Sequence, residues 1–130
     1  MTSTHSTEPI LSPEAAIAAL KSEDNQIRYY AAWWLGKHDV QAGCTALCEA
    51  LFDERYRIPL GGYPLRRQAA RALAQLKNPQ AVPALIAALE CDEDLRLREA
   101  VIQALAAIGD KRAVNPLLNL LQSPQQQPYE

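Results

Sequence analysis

Apolar residues recur three and four positions apart along most of the chain, with polar residues between them. That spacing gathers the apolar side chains of each segment on one face of an α-helix. It predicts helices at 13–21, 25–37, 42–53, 65–77, 80–90, 95–108 and 113–122. Ser12-Pro13 offers an N-cap followed by proline at the first helical position, where a missing N–H costs nothing. Pro79 and Gly109 punctuate the ends of two longer helices.

The pattern also repeats. Leu65-Arg66-Arg67-Gln68-Ala69-Ala70-Arg71-Ala72-Leu73 matches the run from Leu97 to Leu105 at a shift of 32. The run Ala81 to Leu89 matches Ala113 to Leu121 at the same shift, and a third copy starts at Ile27-Arg28, 38 residues before Leu65. The extra residues fall in the Pro- and Gly-rich stretch 56–64, which reads as an inserted loop. A tolerated surface insertion and a functional loop are both open for it. Each unit is a pair of amphipathic helices, so the expected fold is an all-α solenoid of about three and a half repeats.

The repeat domain should span 12–122, between a disordered N-terminal tail at 1–11 and a C-terminal tail at 123–130. Helix 113–122 has no second helix after it. Its Leu117, Leu118, Leu120 and Leu121 make an apolar face where a terminal repeat needs a polar one. The tail at 123–130 therefore reads as a truncation point, and the unpaired helix is expected to dock on another chain or to self-associate.

Composition supports helices: alanine and leucine dominate, while aromatic residues make up 6% of the 130 residues. Thirteen Lys and Arg against 15 Asp and Glu give a net charge of -2, which disfavours general nucleic-acid binding. No apolar run suits a membrane span, and the polar start lacks a signal core, so a cytoplasmic protein is expected. Three cysteines without a CxxC pair argue against a disulfide framework. Cys44 and Cys48 read as small buried hydrophobes, and Cys91 as a residue just past a helix end. Metal binding is not expected, since only His5 and His38 could join them. No nucleophile–base array or phosphate-binding glycine loop stands out.

Aligning the second helices on Ile27, Leu65 and Leu97 shows which positions break the pattern. Arg28, Arg66 and Arg98 share one position; Asp24 and Asp94 precede two of them by four, suggesting a helix-start ion pair or a ladder between repeats. Tyr29 stands where Arg67 and Glu99 stand, and Trp33 where Arg71 and Gln103 stand. Trp34 aligns with Ala72 and Ala104, near the edge of the core. Large aromatics on a solvated face form an exposed apolar patch, beside an arginine pair. That combination suits a flat, conjugated, anionic ligand such as a linear tetrapyrrole, and equally a protein partner.

The Ala-Val-Pro-Ala-Leu first helix and the Leu-Arg-x-x-Ala-x-x-Ala-Leu second helix resemble HEAT-like repeats of the phycobilin-lyase type. Tyr29-Tyr30-Ala31-Ala32-Trp33-Trp34-Leu35-Gly36 and Gly61-Gly62-Tyr63-Pro64-Leu65-Arg66-Arg67 look like the E chain of the heterodimeric E/F-type phycocyanobilin lyases. The resemblance covers essentially residues 12–122. It implies a subunit that, with an F-type chain, positions phycocyanobilin for thioether attachment to a cysteine of the phycocyanin alpha subunit. Bilin or partner contacts then fall to Tyr29, Tyr30, Trp33, Trp34, Tyr63, Arg67 and Arg71. Phycocyanobilin is substrate, and no permanently bound cofactor is expected. Asp53, Glu54 and Glu99 are the carboxylates on offer for a proton, with nothing to choose between them. E chains of that family are about twice this long, in keeping with the truncation reading. A non-catalytic HEAT-repeat scaffold, or a chaperone-like factor for phycobiliprotein subunits, is the alternative.

Overall fold

The computed structural model describes residues 12–91 and 93–122; the tails expected at 1–11 and 123–130 lie outside it. Seven α-helices and no strand are found among the described residues. They are α1 (Pro13–Ala19), α2 (Asn25–Lys37), α3 (Cys44–Ala50), α4 (Pro64–Leu76), α5 (Val82–Ala88), α6 (Leu95–Ile108) and α7 (Val114–Gln122). Each of α3, α5 and α7 is entered through a single 3-10 turn, at Gln41–Gly43, Pro79–Ala81 and Lys111–Ala113. The first helices are accordingly shorter than their apolar patterns predict. Side-chain caps explain part of this: Asn78 and Asp110 accept from the N–H groups of Gln80 and Arg112 and hold the turn in its tighter form. Pro64 is likewise the first residue of α4 rather than the last of the loop.

Helices pair as α1 with α2, α3 with α4 and α5 with α6, and the second helices α2, α4 and α6 lie side by side in a row. The aligned apolar columns of the second helices build the core, although Ile102, aligned with the buried Ala32 and Ala70, is only partly buried. Ala31, Ala69 and Val101, and Leu35, Leu73 and Leu105, are all buried. Small residues bring the row close together. A Cβ on Gly36 would meet Ala72 Cα at 2.7 Å, so only glycine lets α2 and α4 approach this far.

The shared arginine position has a role that spacing did not predict. Arg28 Nη1 donates to the carbonyl of Ser22 at 2.8 Å. Arg66 Nε donates to Asp53 O at 2.9 Å, and Arg98 Nε to Leu89 O at 3.2 Å. Each second helix thus supplies a guanidinium to carbonyls at or just past the C-terminal end of the first helix of its own repeat, on the negative side of its dipole. The expected pairs with Asp24 and Asp94 give way to capping. Asp24 accepts from the Gln26 and Ile27 N–H groups, and Asp94 from Leu97 N–H. The ion pairs run elsewhere: Arg28 Nε stands 3.3 Å from Asp53 Oδ2, and Arg67 Nε 2.8 Å from Asp94 Oδ2.

The last helix differs from its predecessors. Val82 is fully buried in α5, whereas its counterpart Val114 in α7 is 51% exposed. Leu117 and Leu120 pack partly on the core, while Leu118 and Leu121 are open.

Candidate functional site

The row of second helices presents a groove of about 330 Å³. Trp33 from α2 forms one side, Gln68, Arg71, Ala74 and Gln75 from α4 the floor, and Ala100 and Gln103 from α6 the other side. Residues three and four apart on a helix share a face, so the repeat register delivers these side chains to one surface.

Tyr29, Trp33 and Arg71 come together there. Arg71 Nη2 reaches Tyr29 Oη at 3.5 Å across the α2–α4 junction. Arg71 also donates from Nε and Nη2 to Gln68 Oε1, at 3.3 and 2.9 Å. Tyr29 and Trp33 lie one turn apart on α2, but the ring contact is made by Tyr30, which lies tilted against Trp33 with ring centroids 5.5 Å apart. Lys37 Nζ sits 4.8 Å from the Trp33 ring, adding a cation beside the aromatic wall. Trp34 turns the other way, packing on the hydrophobic core and against the His38 ring at 4.1 Å.

Tyr63 and Arg67 lie apart from this groove, in a junction between the inserted loop, α4 and the start of α6. Tyr63 is 6% exposed. Its hydroxyl donates to Glu93 Oε1 at 2.7 Å, its N–H donates to Asp94 Oδ2 at 2.8 Å, and the Arg66 guanidinium covers its ring at 3.9 Å. The hydrogen bond to Glu93, with burial behind it, holds the phenol above its ordinary pKa. Burial pushes the Asp94 carboxyl up, but hydrogen bonds from Arg67, Tyr63 N–H and Leu97 N–H outweigh it and leave the group below the usual carboxylate range. Asp94 therefore neutralises Arg67. The loop carries a tight turn, closed by Gly61 N–H to Ile58 O at 2.9 Å with Gly61 and Gly62 at positive φ. At its tip Leu60 is 99% exposed.

Sequence reasoning passed over Gln68, Gln75, Gln103 and Lys37. Gln68 had a readable signal: it aligns with Tyr30 and Ala100 and is polar at a position the core half covers. Cys44 and Cys48 are chemically quiet. Burial raises the Cys44 thiol pKa, and burial together with the neighbouring Cys44 takes Cys48 to about 12. Among the described residues no group of three or more His, Cys, Asp or Glu could hold a metal ion, and no helix is long and apolar enough to cross a membrane.

Paired short helices, a row of second helices and a shared arginine cap are the marks of a helical-repeat protein. A model of HEAT repeats matches residues 63–129 and one of the PBS lyase HEAT-like repeat matches 27–53; the chain belongs to the HEAT-repeat family. A bilin biosynthesis protein PecE of Nostoc sp. is 89% identical over 123 residues, 95% of this chain and 49% of that protein. A PecE of Mastigocladus laminosus is 83% identical over 130 residues, 100% of this chain and 48% of its own length. A phycocyanobilin lyase subunit alpha of Nostoc sp. is 56% identical over 115 residues, 87% of this chain and 41% of that subunit. The solved complex of CpcE and CpcF of phycocyanin lyase from Nostoc sp. superposes with a TM-score of 0.85 at 51% identity, over 95% of this chain and 47% of that one. The chain spans about half the length of the curated relatives it matches.

Proposed function

We propose that this chain is the repeat portion of a bilin lyase subunit of the E type. It works with an F-type chain in the cytoplasm and holds phycocyanobilin for attachment to a cysteine of the phycocyanin alpha subunit. The observation that carries the reading is the groove itself. Trp33 offers a flat apolar wall, Tyr29 stands beside it in contact with Arg71, and Arg71 brings a positive charge with no carboxylate partner among the described residues. A linear tetrapyrrole has a conjugated body for the wall and propionates for the charge.

The chemistry asks little of this chain. The acceptor thiol adds across a vinyl-type double bond of the bilin: the C–S bond forms, and the bilin takes up a proton in place of the one the thiol gives. A groove that holds the bilin in one shape beside the thiol supplies proximity and excludes off-path addition. The relatives named phycocyanobilin lyase subunit alpha and the complex titled phycocyanin lyase support this reading. The higher identity to the PecE proteins makes acceptor choice part of the test.

The experiment mixes the chain with phycocyanobilin, an F-type partner and apo alpha subunits of more than one phycobiliprotein, with a full-length relative alongside. Denaturation-stable pigment on an alpha subunit in both reactions establishes that residues 1–130 suffice. Pigment in the control alone leaves this chain a partial site. A protein-docking scaffold or chaperone-like factor is the second reading, favoured by the open apolar side chains Val114, Leu118 and Leu121. It predicts binding of alpha subunit with no spectral change on adding bilin.

A further inference from the structure

Arg67 and Arg71 stand one turn apart on α4, yet their charges meet different surroundings. Arg67 is paired with the Asp94 carboxylate at 2.8 Å. Arg71 meets neutral acceptors only: Gln68 Oε1 takes Nε and Nη2, and Tyr29 Oη takes Nη2. Its Nη1 has no acceptor among the described residues. Gln68 lies three residues earlier on the same helix and is 6% exposed, so its amide has little freedom to turn away. An amide oxygen holding one edge of a guanidinium fixes its plane and aims the opposite edge. Unlike a carboxylate, it does so without cancelling the charge.

We propose that Gln68 is a positioning residue: its buried amide oxygen orients the Arg71 guanidinium so that the open Nη1 edge receives a carboxylate of the flat ligand lying against Trp33. The proposal rests on the bilin reading above and sharpens it, because it assigns carboxylate recognition to Arg71 alone and removes Arg67 from that task. Pre-ordering a long side chain before the ligand arrives also lowers the entropy lost on binding.

The test is an absorbance titration of phycocyanobilin and of its dimethyl ester, which keeps the conjugated body and loses both charges. The unaltered chain should bind the acid about tenfold more tightly than the ester, the scale of a charge-assisted hydrogen bond. Arg71→Gln should bring the ratio to about one. Gln68→Glu sets a carboxylate against Arg71 and should do the same, with circular dichroism confirming an intact fold. Gln68→Met keeps the charge but frees the guanidinium, and should lower the ratio to about threefold. A role for Gln68 in packing alone predicts an undiminished ratio in Gln68→Met, which fills the same space without an amide oxygen. That result, or equal binding of acid and ester by the unaltered chain, overturns the proposal and leaves the bilin reading standing. No spectral change with either pigment overturns both.

Discussion

The Arg67 guanidinium meets the Asp94 carboxylate at 2.8 Å and so ties the second helix of one repeat to the start of the second helix of the next. Asp94 is 1% exposed on its side chain and also caps two backbone N–H groups, those of Tyr63 and Leu97. Removing it leaves a partly buried cation and two open donors. Asp94→Ala should cost about 3 kcal/mol in urea unfolding, and Arg67→Ala somewhat less. Equal stability of Asp94→Ala and the parent would show that the junction contributes nothing.

Acid should undo the same junction. Burial raises both Asp53 and Asp94, but their hydrogen bonds and neighbouring arginines win, and both carboxyls end below the ordinary value. A carboxyl depressed by folding stabilises the fold fully above its unfolded pKa of about 4 and loses that contribution as the pH drops through the folded value. Unfolding midpoints should therefore be level on this account from pH 7 to about 5 and fall below about 4. Asp94→Asn should flatten that acid limb, and an unchanged slope would assign acid sensitivity to other groups.

Gly36 governs the spacing of α2 and α4. Its added methyl would lie 2.8 Å from Ala72 Cβ as well as 2.7 Å from Ala72 Cα, and backbone cannot step aside cheaply. Gly36→Ala should destabilise by about 2 kcal/mol despite the better helix propensity of alanine. A thermal midpoint at or above that of the parent would mean the two helices separate freely.

Trp33 touches solvent on the groove side and a tyrosine and lysine on its own helix. Trp33→Ala should keep nearly all helical circular dichroism while weakening bilin binding about tenfold or more. Undiminished pigment transfer by this variant would remove the aromatic wall from the mechanism.

The open side of α7 should make the isolated chain self-associate. Sedimentation is expected to show mass rising with concentration, and Leu118→Glu should suppress it. A single monomeric species in the parent at high concentration, with α7 amides well protected from exchange, would show the helix to be content as it stands.

The repeats were legible because their information is periodic. Leu35, Leu73 and Leu105 sit in one aligned column, and all three are buried. Tyr29 and Trp33 stood out for the complementary reason, as aromatics in columns otherwise held by polar residues, with Arg71 as the next helix's polar residue in the Trp33 column. Arg67 holds the corresponding place in the Tyr29 column, yet its charge is paired with Asp94. Its partner lies 27 residues away, beyond α5, at the start of the next second helix, a separation no helical period describes. Tyr63, expected as a bilin or partner contact, stands apart from the groove, its hydroxyl bound to Glu93 from the next repeat's connection. Gln68 escaped notice because a lone amide among apolar neighbours looks like a core edge, and only the geometry of Arg71 reveals what it holds.

The carbonyls that Arg28, Arg66 and Arg98 hold at the end of each first helix lie only a short way back along the chain. Arg28 looks back six residues, Arg98 nine and Arg66 no more than 14, even across the inserted loop. Such short closures carry little loop entropy and can form as soon as a second helix is complete. Each repeat can therefore lock while the following one is still being synthesised. The groove, with walls from α2, α4 and α6, is complete only once the third of these helices has formed.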